Sequence, residues 1–244
     1  MKVFIRVSLV ILLVVSMSGK LSAQYISGTT GLITTPTADM QDDGRFMGGF
    51  NYLPKEVLPS NWSYDTANYF LNITFLPFLE VAFVNTIVKL GGQYEGKVNQ
   101  DRSLSGRIRL LRERKWIPAV VVGANDLFTT STEQYNPFED SDTNRGFASL
   151  YCVMTKNFNF NDHTIGASIG YNVSKYDYED GDGVFGGVSY RPAFARELQF
   201  MADVSNGRVS LGAAVLFWKH LALDLFCYDF KALGAGIRYE ITLY

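Results

Sequence analysis

Cysteine, histidine and charge are all scarce in this chain, and each scarcity removes a class of function. There are two cysteines and two histidines in 244 residues. Cys152 and Cys227 have no Cys or His partner at metal-site or redox spacing, so neither a zinc site nor a disulfide framework is expected. Both read as free wall cysteines behaving as small hydrophobes. His163 and His220 are the only imidazoles, neither lies in a Ser-containing motif, and G-x-S-x-G and H-E-x-x-H are absent. Acyl transfer needs a nucleophile, a base and an orienting group, so no catalytic residues, metal or cofactor are expected. A barrel hydrolase would have to rest on two inward carboxylates meeting from separate strands. Charged residues make up 19% of the chain and the net charge is −2, which does not suit a nucleic-acid surface.

Long apolar runs are missing too, apart from the first stretch. Lys2 and Arg6 precede a short apolar core, Val7 to Val15, and Leu21-Ser22-Ala23 forms a small-residue cleavage site before Gln24. That core falls short of the ~20 residues a spanning helix needs. Residues 1–23 are therefore expected to be a signal peptide. No cysteine follows the cut to carry a lipid anchor. An exported chain with no second spanning run can cross a membrane only as a closed barrel.

The abundant residues suit that architecture. There are 22 Gly, 14 Tyr and 18 Phe, fitting short strands, aromatic girdles and tight turns. A mean hydropathy of +0.03 does not oppose it, because a barrel hides its apolarity by alternation. The last stretch, Leu233 to Tyr244, shows this clearly. Leu233, Ala235, Ile237, Tyr239, Ile241 and Leu243 alternate with Gly234, Gly236, Arg238, Glu240 and Thr242. Within it, Gly236, Tyr239 and Ile241 resemble the C-terminal signal read by the outer-membrane insertion machinery.

The same period predicts twelve strands: Arg45–Leu53, Ala67–Phe75, Leu79–Val88, Arg102–Leu110, Ala119–Asp126, Phe147–Lys156, His163–Val173, Val184–Arg191, Leu198–Val204, Arg208–Phe217, Leu221–Tyr228 and Ala232–Leu243. The third and sixth lack a clear alternation. Connections after odd strands are mostly long and those after even strands mostly short, as in a barrel whose N-terminus is periplasmic. Two tight outer loops, Ser205–Gly207 and Asp229–Lys231, depart from the rule. The predicted fold is all-β: a transmembrane antiparallel up-and-down barrel over residues 44–244, preceded by a segment, 24–43, that is either periplasmic or docked in the lumen.

That segment carries a resemblance. Gly28-Thr-Thr-Gly-Leu-Ile-Thr-Thr-Pro-Thr-Ala38, the spacer ending Asp42-Asp43-Gly44, and the strand from Arg45 resemble the opening of the YjbH-type family. Similarity continues through Asn68 to Val81, Val184 to Pro192 and the terminal strand. The resemblance implies a Gram-negative outer-membrane β-barrel associated with exopolysaccharide production. The chain looks most like short, single-barrel members from Bacteroidetes-type bacteria. The expected partners are outer-membrane lipid and lipopolysaccharide, the barrel insertion machinery and a polysaccharide. A general small-solute channel is the alternative on the same fold.

Most of the charges that fall within strands belong to the inward-facing set: Arg45, Glu80, Arg107, Arg109, Arg191, Asp203, Asp224, Arg238 and Glu240. A charge facing lipid at mid-depth would cost ~2–4 kcal/mol, which alone accounts for the placement. Pairing within the wall is one reading, and a polar lumen that binds or passes a solute is the other. Inward Gly49, Gly123, Gly166, Gly170, Gly187 and Gly212 leave room for water or a plug. Two predicted outer loops are acidic, through Glu133, Glu139, Asp140 and Asp142 and through Asp177, Glu179, Asp180 and Asp182, without the spacing of an EF-hand. Gly28 to Ala38 cannot be helical for long. Its Leu32-Ile33 pair and stiffening Pro36 favour docking in the barrel mouth over a loose tail.

Overall fold

In the computed structural model the described residues are 24–58, 62–89, 96–129, 147–174 and 182–243. The signal peptide, most of both acidic loops and Tyr244 lie outside them. Twelve strands close on themselves, each antiparallel to its sequence neighbours and β1 pairing with β12. They are β1 (Arg45–Leu53), β2 (Thr66–Phe75), β3 (Leu79–Lys89), β4 (Val98–Leu111), β5 (Ala119–Thr129), β6 (Ser149–Phe160), β7 (His163–Ser174), β8 (Gly183–Arg191), β9 (Leu198–Ser205), β10 (Arg208–Phe217), β11 (Leu221–Tyr228) and β12 (Ala232–Thr242). Among the described residues there is one short 3₁₀ turn, Lys55–Val57, and no α-helix. Closure leaves no strand edge unpaired.

Three strands, β1, β10 and β11, keep the boundaries that the alternation predicts. Two others differ in an informative way. Strand β4 begins at Val98 rather than Arg102, because Val98 to Asp101 pair with Thr86 to Lys89 and lengthen the hairpin. Strand β6 runs on to Phe160, pairing through Phe160↔His163, so its short connection is only Asn161-Asp162. Both of these residues have positive φ (44° and 66°), which Asn and Asp tolerate in a tight hairpin. The connections after even strands lie at the end of the barrel where β1 begins and β12 ends, and those after odd strands, the tight β9–β10 and β11–β12 turns included, lie at the other.

Alternation sorts the two surfaces. On β12, Leu233, Ile237 and Tyr239 are exposed on the outside, while Arg238 and Glu240 are buried inside. Ile165, Ile169, Tyr171 and Val173 on β7 and Leu223 and Leu225 on β11 continue the apolar exterior. Trp116 and Trp218 stand exposed at the short-turn end, where an amphipathic ring suits a membrane interface. Cys152 is exposed on the outer face and both cysteines are free.

Strands β3 and β6 lack alternation in sequence because their inner faces are also apolar. Ala82, Val84 and Val88 are buried on β3, and Tyr151 and Val153 on β6. The reason is the chain before β1, which folds back into the barrel and gives those residues something to pack against. Leu32 and Ile33 join Met201, Ala214, Leu216, Ala222 and Phe226 in one buried cluster. Ala38 joins Val121, Tyr151, Val153 and Phe185 in a second.

Candidate functional site

The interior is built from the N-terminal segment and the wall groups that grip it. Two isolated antiparallel bridges, Gln24↔Thr30 and Gly31↔Pro36, fold residues 24–36 into a compact double turn. Tyr25 N–H donates to Thr29 O and Gly28 N–H to Tyr25 O, both at 2.9 Å, and Gly28 takes the positive φ of 80° that this reversal needs. The Tyr25 phenol is enclosed, and burial pushes its pKa up to about 12, so it stays neutral.

Two carboxylates on opposite walls hold this fold. Asp203 on β9 accepts the N–H groups of Ile33 and Thr34, each at 2.8 Å, and the hydroxyls of Thr34 (2.9 Å) and Thr35 (3.2 Å). Glu80 on β3 accepts Thr30 N–H at 2.7 Å, the Thr30 hydroxyl at 3.1 Å and Asn72 Nδ2 at 2.8 Å. Arg107 on β4 pairs with Glu80 at 3.3 Å and donates to the carbonyls of Thr30 and Asp39. Segment amides thus meet wall carboxylates, and segment carbonyls meet a wall guanidinium. Charge-assisted bonds of this kind are about twice as strong as neutral ones. Further along, Ala38 N–H donates to Thr155 Oγ1 at 2.7 Å and Asn157 Nδ2 to Asp39 Oδ1 at 2.9 Å. Burial raises the Asp39 carboxyl above its ordinary pKa, against the lowering effect of that Asn157 bond and the charges of Arg107 and Arg191.

Shape complements charge. A Cβ at Gly187 would lie 2.4 Å from Leu32 Cδ1, and one at Gly212 2.9 Å from Ile33 Cδ1. These two inward glycines are where the Leu32-Ile33 pair fits. Gly49, Gly123 and Gly170 serve the wall itself, making room for the rings of Phe70, Tyr151 and Phe185. Gly166 instead faces Ser189 and Asn157.

The inward charged residues divide accordingly. Glu80, Arg107 and Asp203 come together around the segment. Arg45 pairs with Glu240 at 2.8 Å and Arg238 with Asp224 at 2.6 Å, closing two ion pairs along the β1–β12–β11 wall. Arg191 donates to Gln199 at 3.2 Å. Arg109 stands apart at the short-turn end, donating to Pro77 O and partly exposed. Gly236 sits inward against Asn51, while Tyr239 lies outside, stacked on His220. The histidines make structural contacts: His163 Nδ1 with Tyr190 OH and His220 Nδ1 with Glu240 O, each at 2.8 Å. Sequence reasoning missed Glu113, which lies in the β4–β5 turn. Its carboxylate takes Lys156 Nζ at 2.6 Å and Asn157 N–H and Nδ2 at 2.9 Å each. It also missed Asp101 and Asp126, both buried. The polar stretch Asn99-Gln100-Asp101, read as the end of a loop before Arg102, gave no sign that Asp101 faces inward.

A family model described as YjbH, exopolysaccharide biosynthesis protein YbjH, matches residues 23–208, well over half of the chain. Among solved structures, the COG4313 outer membrane channel from Pseudomonas putida F1 is similar at 11% identity and a TM-score of 0.42, covering 85% of this chain and 98% of that one. A Nitrosomonas europaea protein described as AttH aligns at 9% identity and a TM-score of 0.17, covering 93% of this chain and 100% of that one. No curated protein matches.

Proposed function

The chain belongs to the YjbH exopolysaccharide biosynthesis family, and from that premise we propose that it is a non-enzymatic outer-membrane barrel serving exopolysaccharide or cell-envelope biogenesis. Its polar interior is closed at rest by residues 24–41. The apolar exterior faces lipid and lipopolysaccharide, the short-turn end faces the periplasm, and Gly236, Tyr239 and Ile241 present the terminal strand to the insertion machinery. One observation carries the reading: the inward charges of β3, β4 and β9 bond the chain's own N-terminal segment, Glu80 and Arg107 in addition to their mutual ion pair. A wall that needed only rigidity would pair its charges with one another, as Arg238 and Asp224 do. A wall whose carboxylates and guanidinium grip a removable segment has polar groups that a polyhydroxylated solute can use once the segment leaves.

Deleting the gene and comparing secreted and surface polysaccharide tests the role. The expected result is a changed polysaccharide profile, restored by the wild-type gene. An unchanged profile, together with ion conductance indifferent to polysaccharide, would replace this reading with that of a general small-solute channel.

A further inference from the structure

Like charges held close together repel, and an anion placed among them lowers that energy. The β4–β5 connection, residues 112–118, is such a place. It is the longest connection at the short-turn end, where the others span 76–78, 161–162, 192–197 and 218–220. It opens Arg112-Glu113-Arg114-Lys115, three cations against one carboxylate. That carboxylate is already committed to β6, where Glu113 Oε1 takes Lys156 Nζ at 2.6 Å and Asn157 N–H at 2.9 Å. Arg112, Arg114 and Lys115 are exposed, and no ion pair among the described residues includes any of them.

The turn presents these cations from a fixed frame. Lys156 Nζ also donates to Arg114 O at 2.8 Å, and Arg114 N–H donates to Ile117 O at 2.9 Å. Apolar groups stand beside the charges. Trp116 is 85% exposed, Leu110, Leu111 and Ile117 are exposed as well, and Lys115 Nζ lies 5.6 Å from the centre of the Trp116 ring. An indole favours the headgroup level of a bilayer, where the polar layer is only about 5–8 Å deep on each side. Cations on the same turn therefore sit near phosphate depth. The other connections at this end differ. Residues 76–78 carry no charge, Arg196 faces Asp162 at 3.4 Å, and Trp218 is followed by the single lysine Lys219.

We propose that the β4–β5 turn is a headgroup site for an anionic phospholipid of the periplasm-facing leaflet. Arg112 and Arg114 take the phosphate diester, whose oxygens match the planar guanidinium fork. Lys115 adds charge, and Trp116 with its apolar neighbours meets the glycerol and acyl carbons. Those exposed apolar side chains favour a lipid over a soluble acidic polymer, which would leave them in water. The site rests on the membrane orientation given above and not on the role in polysaccharide biology.

Trp116 can report on its own lipid neighbours. Left as the only Trp by Trp62→Phe and Trp218→Phe, it is quenched by phospholipids brominated on their acyl chains. In phosphatidylcholine vesicles, brominated phosphatidylglycerol should quench it at a mole fraction on the order of tenfold lower than brominated phosphatidylcholine, since each cation near an anionic surface contributes about fivefold. Arg112→Gln with Arg114→Gln should remove most of that preference, and added salt should weaken it. Lys219→Gln should leave it unchanged. Should the Trp-substituted chain fail to fold, as judged by heat-modifiable migration, the chain with all its Trp residues carries the test. Extracted from mixed vesicles of the two lipids, it should retain phosphatidylglycerol over phosphatidylcholine, and the double Arg variant should not. Equal quenching or equal retention of the two lipids, or a preference untouched in the double variant, would overturn the proposal. Equal quenching with Trp116 shielded from aqueous iodide by polygalacturonate would assign the turn to an acidic polymer instead. A chain that inserts into neither lipid would overturn the membrane reading and this site with it.

Discussion

Asp203→Asn isolates what holds the N-terminal segment in place. The carboxylate takes two backbone N–H groups on Oδ2 and the Thr34 hydroxyl on Oδ1. An amide of the same size can keep its oxygen toward the two N–H groups and turn its NH₂ toward Thr34 Oγ1, whose hydroxyl rotates to accept. Shape and hydrogen-bond count survive, but the charge does not. Bonds to a charged acceptor contribute about 1.5–3 kcal/mol and neutral ones about 0.5–1.5. The two backbone bonds therefore lose roughly 1 kcal/mol each. A total of about 2 kcal/mol lowers the docked-to-undocked ratio by about 30-fold, at 1.4 kcal/mol per factor of ten. Thr37, 3% exposed, supplies the reporter. As Thr37→Cys, with both native cysteines changed to serine, it reacts with a thiol reagent only when the segment leaves the barrel. When docking is fast relative to labelling, the rate follows the undocked fraction. The Asp203→Asn background should label about 30-fold faster. Equal rates in folded protein would refute the argument that this carboxylate holds the segment.

Three further perturbations follow from the same contacts. Burial raises the Asp39 carboxyl, so the docked state binds that proton more tightly than the undocked one. Docking should be strongest below the ordinary carboxylate pKa and weaken as pH rises through the raised value, and Asp39→Asn should flatten that dependence in the same labelling assay. Burial also raises Glu113, but the Lys156 and Asn157 bonds outweigh it and hold the group below its ordinary value. Its contribution is present above the ordinary Glu pKa and is lost as pH falls through the lowered one, and Glu113→Gln should cost about 1 kcal/mol in denaturant unfolding. Gly187→Ala puts a Cβ 2.4 Å from Leu32 Cδ1 and 2.6 Å from Ala202 O, so it should expel Leu32 and make residues 24–41 sensitive to protease in the folded barrel.

The strand count was legible because the exterior and most inward positions obey a period of two. The wall failed to read where it touches the segment. Val84 and Val153 are apolar although they face inward, so β3 and β6 lose their alternation for a reason that lies far away in the sequence, Val153 packing with Ala38. The glycines were visible as spaces, yet only the closed register separates Gly187 and Gly212, which admit Leu32 and Ile33, from Gly123 and Gly170, which admit wall aromatics. Charges behaved similarly. Arg107 and Arg109 look equivalent in sequence, both on one face of β4. Closure leaves Arg107 among Glu80, Thr30 and Asp39 and puts Arg109 at a turn beside Pro77. The Ile33–Asp203 contact spans 170 positions, and no local pattern encodes it.

Conductance in planar bilayers, comparing wild type with a chain lacking Gly28 to Ala38 but retaining its export signal, tests the plugged barrel most directly. A lumen closed by its own N-terminal segment should conduct weakly in wild type and open to a larger, steady conductance in the deletion, with both proteins heat-modifiable. Equal conductance in two folded barrels would contradict it.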